Sequence, residues 1–180
     1  MRWATSGFSV TTGSRVRLPD VVALDTNCFI YLFEQPSSDR GKFLVEQVLR
    51  PAQRGERRVV TPALVVQELL AQPRSGGSAA RATALARALD ALPGLSVLPM
   101  TTRVASLAAR LGAAAAQVHG DEGLSLSDAV VLATAVDASA LLITNDRRLA
   151  ERSKPDTVMV LDDLVSAAGA PPVRLGRRRG

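Results

Sequence analysis

Five short apolar runs recur along the chain: VVALD (21–25), RRVVT (57–61), LSVLP (95–99), ALLIT (140–144) and TVMVL (157–161). They are rich in β-branched residues and do not alternate polar with apolar, the pattern of strands covered on both faces of a parallel sheet. Helical periodicity fills the intervals. Residues 101–118 set Val104, Leu107, Ala108, Leu111 and Ala115 at helical spacing, with Thr101 and Thr102 at the start and Gly120 just past the end. A second helix is expected to open at Ser78, with Leu85, Leu89 and Leu92 on one face before Pro93-Gly94 stops it. Pro51 is expected to end or kink a helix that begins near Arg40. Strands alternating with helices demand right-handed crossovers, so the fold class is α/β, a three-layer α/β/α sandwich around a short parallel sheet. Ligands of such folds sit at the carboxyl ends of the strands, near the point where strand order reverses.

At 180 residues, 47% of them hydrophobic, the chain suits one domain with short tails and an aliphatic core. The expected organisation is a flexible leader over 1–20, the domain over 21–168 and a basic tail over 169–180. The leader has no apolar h-region and so does not read as a signal peptide. Arg174, Arg177, Arg178 and Arg179 lie in the tail with no acid beside them, while the net charge is +5. The body is therefore close to neutral, which argues against a broad basic face for nucleic acid. AQPRSGGSA (71–79) is a Gly/Ser-rich break that reads as a mobile connection between helices. Cys28 is the only cysteine and His119 the only histidine, which excludes an intramolecular disulfide, zinc-finger, Cys/His protease and haem readings. Both residues read as structural or incidental. Asp137 and Ser139 interrupt the longest apolar stretch, so no segment spans a bilayer and the cytoplasm is the default location.

Four of the acids stand in apolar surroundings. Asp25 ends the first strand, Glu68 lies in PALVVQELLA, Asp128 in LSLSDAVVLATAV, and Asp146 follows ALLIT. Each has an ordinary local explanation. Asp25 and Asp146 suit helix N-caps, Ser125-x-x-Asp128 suits a capping box, and Glu68 could reach solvent from a half-buried helix. Jointly they suggest more, because two leave the carboxyl ends of strands and two lie early in helices that could start there. Two carboxylates ~4 Å apart repel by about 4 kcal/mol at an effective dielectric near 20. A convergent cluster would thus need protonation or a cation. With no imidazole or thiolate at hand, oxygen-only ligation selects Mg²⁺ or Mn²⁺ over Zn²⁺. Phosphotransfer folds with a strand-end Asp fit less well. A haloacid-dehalogenase-type enzyme wants a second Asp where Asn27 stands, and neither Lys42 nor Lys154 suits a response-regulator receiver.

VVALDTNCFIYLF, TPALVVQEL, LSLSDAVVLATA and LLITNDRRL, in that order and spacing, resemble a PIN domain, most closely the VapC-type ribonuclease toxins of toxin–antitoxin pairs. The resemblance implies an α/β/α fold in which clustered acids bind Mg²⁺ or Mn²⁺. It makes Asp25, Glu68, Asp128 and Asp146 the catalytic and metal-binding quartet, flanked by Thr26, Asn27, Ser127, Thr144 and Asn145 as donors. It further implies hydrolysis of RNA phosphodiester bonds, a cognate VapB-like antitoxin and a homodimer. A non-toxin RNA-processing nuclease and a catalytically inactive PIN-like binding module remain the alternatives.

Overall fold

The computed structural model describes residues 16–71, 79–120, 123–154 and 156–169. Most of the expected leader, the Gly/Ser-rich connection, the helix start at Ser78 and the arginine tail lie outside them. Five strands form one sheet: β1 (Val21–Leu24), β2 (Arg58–Pro62), β3 (Leu95–Leu98), β4 (Leu141–Thr144) and β5 (Val158–Val160). Their order is β3-β2-β1-β4-β5, and every pairing is parallel. Chain order therefore runs outward from β1 through β2 to β3, then restarts on the other side of β1 at β4. That reversal lies between β1 and β4, where Leu24 pairs with Ile143.

The central strands are apolar on both faces because both faces are covered. Val22, Ala23, Leu24, Val59, Val60, Leu142 and Ile143 are all buried. The edge strand β3 is only partly covered, and its Val97 is 45% exposed. Helices α1 (Thr26–Glu34), α4 (Ala63–Ala71), α8 (Arg147–Glu151) and α9 (Leu161–Gly169) each follow a strand almost at once. Helix α5 (Ala79–Asp90) leads into β3. Between β3 and β4 the chain makes a hairpin of α6 (Thr102–His119) and α7 (Leu126–Asp137). Thr101 caps α6 by accepting from the Val104 N–H at 3.2 Å, and Gly120 ends it at φ 60°. Helix α7 is buried from Ala129 through Ala135, which explains why its sequence is apolar almost all round. Val104 and Ala108 of α6 meet Ala129, Val130 and Ala133 of α7 in a small second core. No helix among the described residues is long and apolar enough to cross a membrane.

Pro51 does not end the helical run but interrupts its regular α-helical geometry. Helical structure continues through α2 (Asp39–Phe43), a π-helical stretch (Leu44–Leu49) and α3 (Arg50–Gln53). Pro51 lacks an N–H, so the Gln47 carbonyl one turn earlier loses its ordinary donor. The wider π-turn makes room for the ring, and Arg50 bonds instead to the Val45 carbonyl. The Arg57 guanidinium supplies the missing donor to Gln47, and it also reaches the Pro19 carbonyl at 2.9 Å and the Leu18 carbonyl at 3.0 Å. Leu18 is itself buried against the core, so the packed chain begins ahead of Val21. Burial pushes the Arg57 pKa below its ordinary value.

Candidate active site

Asp25 is placed by the ladder that precedes it. Its N–H donates to the Ile143 carbonyl at 3.1 Å, continuing the β1–β4 pairing by one residue. The backbone then turns into α1, and Asp25 becomes its N-cap, with Oδ1 accepting from the Thr26 N–H at 2.7 Å. Oδ2 accepts from the Thr144 hydroxyl at 2.6 Å and from Asn27 Nδ2 at 3.2 Å. Three donors would ordinarily hold a carboxyl at low pKa. Burial nevertheless raises the Asp25 pKa; the Thr144 and Thr26 bonds oppose the rise, and the Glu68 and Asp128 carboxylates add to it.

Glu68 comes from α4, where its Oε2 accepts from the Thr26 hydroxyl at 2.6 Å. Asp128 stands in the first turn of α7. Its N–H is capped by Ser125 Oγ at 3.1 Å, while its carboxylate accepts no hydrogen bond from the described residues. The structure therefore brings Glu68 and Asp128 each within electrostatic reach of Asp25. Asp146 is held differently. Its Oδ1 caps α8 by accepting from the N–H groups of Arg148 at 2.8 Å and Leu149 at 3.1 Å. The local reading of Asp146 as an N-cap thus holds, and its tie to Asp25 runs through Thr144.

The Thr144 side chain is a buried junction. It donates to Asp25 and accepts from Asn27 Nδ2 at 3.1 Å and from the Asp146 N–H at 3.0 Å, which uses its full hydrogen-bonding capacity. Thr26 and Asn27 also touch the acids directly. Asn145 does so through Asn27, whose Oδ1 accepts the Asn145 N–H at 2.8 Å. Among the described residues Ser127 makes no hydrogen bond to the four acids; its hydroxyl lies 3.0 Å from that of Ser125. Cys28 is buried with Sγ donating to the Ile143 carbonyl at 3.2 Å, and burial lifts its pKa well above the ordinary value. That is an inert structural thiol.

Sequence patterns gave no sign of three further residues. Arg40 pairs with Asp162 through Nε to Oδ1 at 2.5 Å and Nη2 to Oδ2 at 2.9 Å. The same guanidinium lies 4.9 Å from the centre of the Tyr31 ring. The partners are 122 residues apart, so no local spacing could disclose them.

The acids suit a divalent cation in donor type and charge more than in position. The donors are all oxygen, which matches a hard cation. Among the described residues the arginine pairs of this region, Arg40–Asp162 and Arg147–Asp163, use other acids. Burial is the main cause of the raised Asp25 pKa, and the Glu68 and Asp128 carboxylates add to it. Position is less complete: among the described residues no three His, Cys, Asp or Glu side chains are gathered as a set that could hold a metal. The fit is thus one of chemistry and charge, and binding would have to draw the carboxylates together.

A parallel sheet with carboxylates at its point of reversal defines an α/β protein with an acidic strand-end site. The chain belongs to the PIN domain family, whose model matches residues 22–155. PIN domains are in general nucleases that use divalent metals. Solved structures share the fold at low identity. A toxin–antitoxin complex from Klebsiella pneumoniae is 20% identical, with a TM-score of 0.56 over 78% of this chain and 97% of that one. VapBC-1 from nontypeable Haemophilus influenzae is 16% identical, with a TM-score of 0.60 over 79% and 98%. DNA-bound VapBC from Salmonella typhimurium is 18% identical, with a TM-score of 0.59 over 78% and 97%. No curated protein matches the sequence.

Proposed function

We propose that this protein is a metal-dependent endoribonuclease that acts as the toxin of a toxin–antitoxin pair. The observation that carries the reading is Asp25: a half-buried carboxyl at the β1–β4 reversal, pushed up in pKa by desolvation, with Glu68 and Asp128 adding to the rise. Asp25, Glu68 and Asp128 would hold Mg²⁺ or Mn²⁺, with the free oxygen of Asp146 completing the ligand set. A bound divalent cation would supply charge that activates water and screens the scissile phosphate from the carboxylates. The chain's own contribution is orientation. Thr144, Thr26 and Asn27 fix which lone pairs of Asp25 and Glu68 face the site, because each occupies one of the others.

RNA as the substrate and an antitoxin as the partner are supported by the fold and by the toxin–antitoxin assemblies in which its structural relatives occur. A homodimer belongs to the same proposal. A binding module without catalysis is the second reading, favoured by the ungathered carboxylates and by the engagement of Asp146 in a helix cap. Purified protein incubated with RNA separates the two. Cleavage that needs Mg²⁺ or Mn²⁺, stops with EDTA and leaves 5′-phosphate and 3′-hydroxyl ends is expected, as is its loss in Asp25→Asn and Asp128→Asn. A 2′,3′-cyclic phosphate product, or normal cleavage by either variant, would overturn the nuclease assignment.

A further inference from the structure

We propose that Tyr31, Arg40, Asn145 and Asp162 form a positioning ring that sets the orientation of the Asn27 amide and, through it, of the Asp25 carboxylate. The ring closes through four contacts. Arg40 binds Asp162 with two parallel hydrogen bonds, and the Asp162 N–H donates to Asn145 Oδ1 at 3.3 Å. Asn145 Nδ2 donates to the Tyr31 hydroxyl at 3.2 Å, and the Tyr31 ring lies under the Arg40 guanidinium. Its members come from α1, α2, the β4–α8 connection and the first turn of α9, so it fastens four elements beside the site.

Amide chemistry carries the effect inward. A flipped Asn145 would set its NH₂ against the Asp162 N–H, donor against donor, so the ring permits one orientation. Held there, Asn145 presents its backbone N–H to Asn27 Oδ1 at 2.8 Å. That contact decides Asn27 in turn: with Oδ1 taken, Nδ2 faces Asp25 Oδ2 and Thr144 Oγ1. The opposite rotamer would point a carbonyl oxygen at a carboxylate. The ring thus fixes where the Asn145 backbone N–H stands, and the Asn27 amide converts that position into a direction at Asp25.

Global stability is a poor account of the ring. The Arg40 and Asp162 side chains are 37% and 34% exposed, and pairs in water contribute little to folding. None of the four residues is among the acids of the site, so the ring acts on geometry.

Tyr31→Phe is the test, because it removes the hydroxyl and keeps the ring beneath Arg40. Three readouts apply to the full chain. The side-chain amide resonances of Asn27 are expected to shift in the ¹H–¹⁵N spectrum while most of the spectrum and Tm stay put. The kcat for RNA cleavage is expected to fall roughly tenfold with KM within about twofold, the scale of supporting residues around a metal site. In an Asn27→Ala background the same substitution is expected to add nothing further. Asp162→Asn gives an independent break at the other side of the ring, and serves alone if Tyr31→Phe does not fold. Unmoved Asn27 resonances in the folded variants, or the same fold-loss with and without Asn27, would overturn the proposal. The kinetic arm rests on the nuclease reading, whereas the resonance arm does not. Wild-type protein that cuts no RNA would sink that reading and leave the spectra to decide the ring.

Discussion

Replacing Thr144 by valine keeps the shape of a buried side chain and deletes the junction beneath the acids. Three hydrogen bonds are lost: one donated to a carboxylate, and two accepted from Asn27 and from the Asp146 N–H. A bond to a charged group contributes about 1.5–3 kcal/mol and a neutral one about 1 kcal/mol. Asn27 Nδ2 keeps its bond to Asp25, so its loss counts for little. Burying an extra methyl returns less than about 1 kcal/mol. The net cost is about 2–3 kcal/mol, or a fall in Tm of roughly 5–10 °C for a domain of this size. Urea denaturation in EDTA at neutral pH measures it, with Thr144→Ser as the control that keeps the hydroxyl. The charge-assisted share exists only while Asp25 is ionised, so the difference from wild type should narrow as pH falls through the raised Asp25 pKa. A loss below about 1 kcal/mol, or one that widens in acid, would refute the assignment of this hydroxyl to an ionised Asp25.

Further outcomes follow from the same contacts. Arg57→Ala should destabilise by about 3–5 kcal/mol, because it strands the carbonyls of Leu18, Pro19 and Gln47; Arg57→Lys should restore only part, and a urea midpoint like wild type for the alanine variant would contradict it. Gly41→Ala should unfold the region around α2, since the new Cβ would meet the Gln35 carbonyl oxygen and stand 2.8 Å from Pro36 Cα; a soluble variant with wild-type Tm would show that the backbone there can yield. Without a cation, Asp25 has a folded pKa above its ordinary 3.8, so its contribution favours folding at low pH and is lost as pH rises through the folded value. Denaturation of wild type and Asp25→Asn in EDTA from about pH 4 to 7 should show the balance moving toward the asparagine variant as pH rises; the reverse trend would be inconsistent with a desolvated carboxyl. Mn²⁺ at about 100 times its Kd should add about 2.7 kcal/mol to wild type and much less to Asp25→Asn, and thermal melts showing equal shifts would remove Asp25 from the cation site.

The sheet was legible because two-sided burial leaves unbroken apolar runs, and all five runs became strands within a residue or two. Thr101, Gly120 and Ser125 announced their helix ends because caps are local chemistry. The acids were legible as misfits in apolar surroundings, and Asp146 was legible as a helix cap as well, because that chemistry is local. Contacts across large separations were not legible at all. The Arg57 bond to Gln47 and the π-helical stretch follow from Pro51 only once the return of the chain past α3 is known. Ser127 looked like a partner of the acids by adjacency, but helix geometry turns its hydroxyl to Ser125. The Arg40–Asp162 pair joins residues of ordinary composition, and nothing in either neighbourhood marks them.

The reversal of strand order also determines when the acids can be aimed as the protein is made. Asp25 and Thr144 are separated by 119 residues, and β4 must dock on β1 before the junction between them exists. Asp25 and Glu68 leave the ribosome early, yet the Asp128 carboxylate comes within the α6–α7 hairpin, and the Thr144 hydroxyl and the strand that orders Asp25 come only after it. Pairings this remote in sequence form late. A nascent or truncated chain therefore carries half of the acids without the means to aim them, and synthesis delays whatever chemistry they perform until the domain is nearly whole.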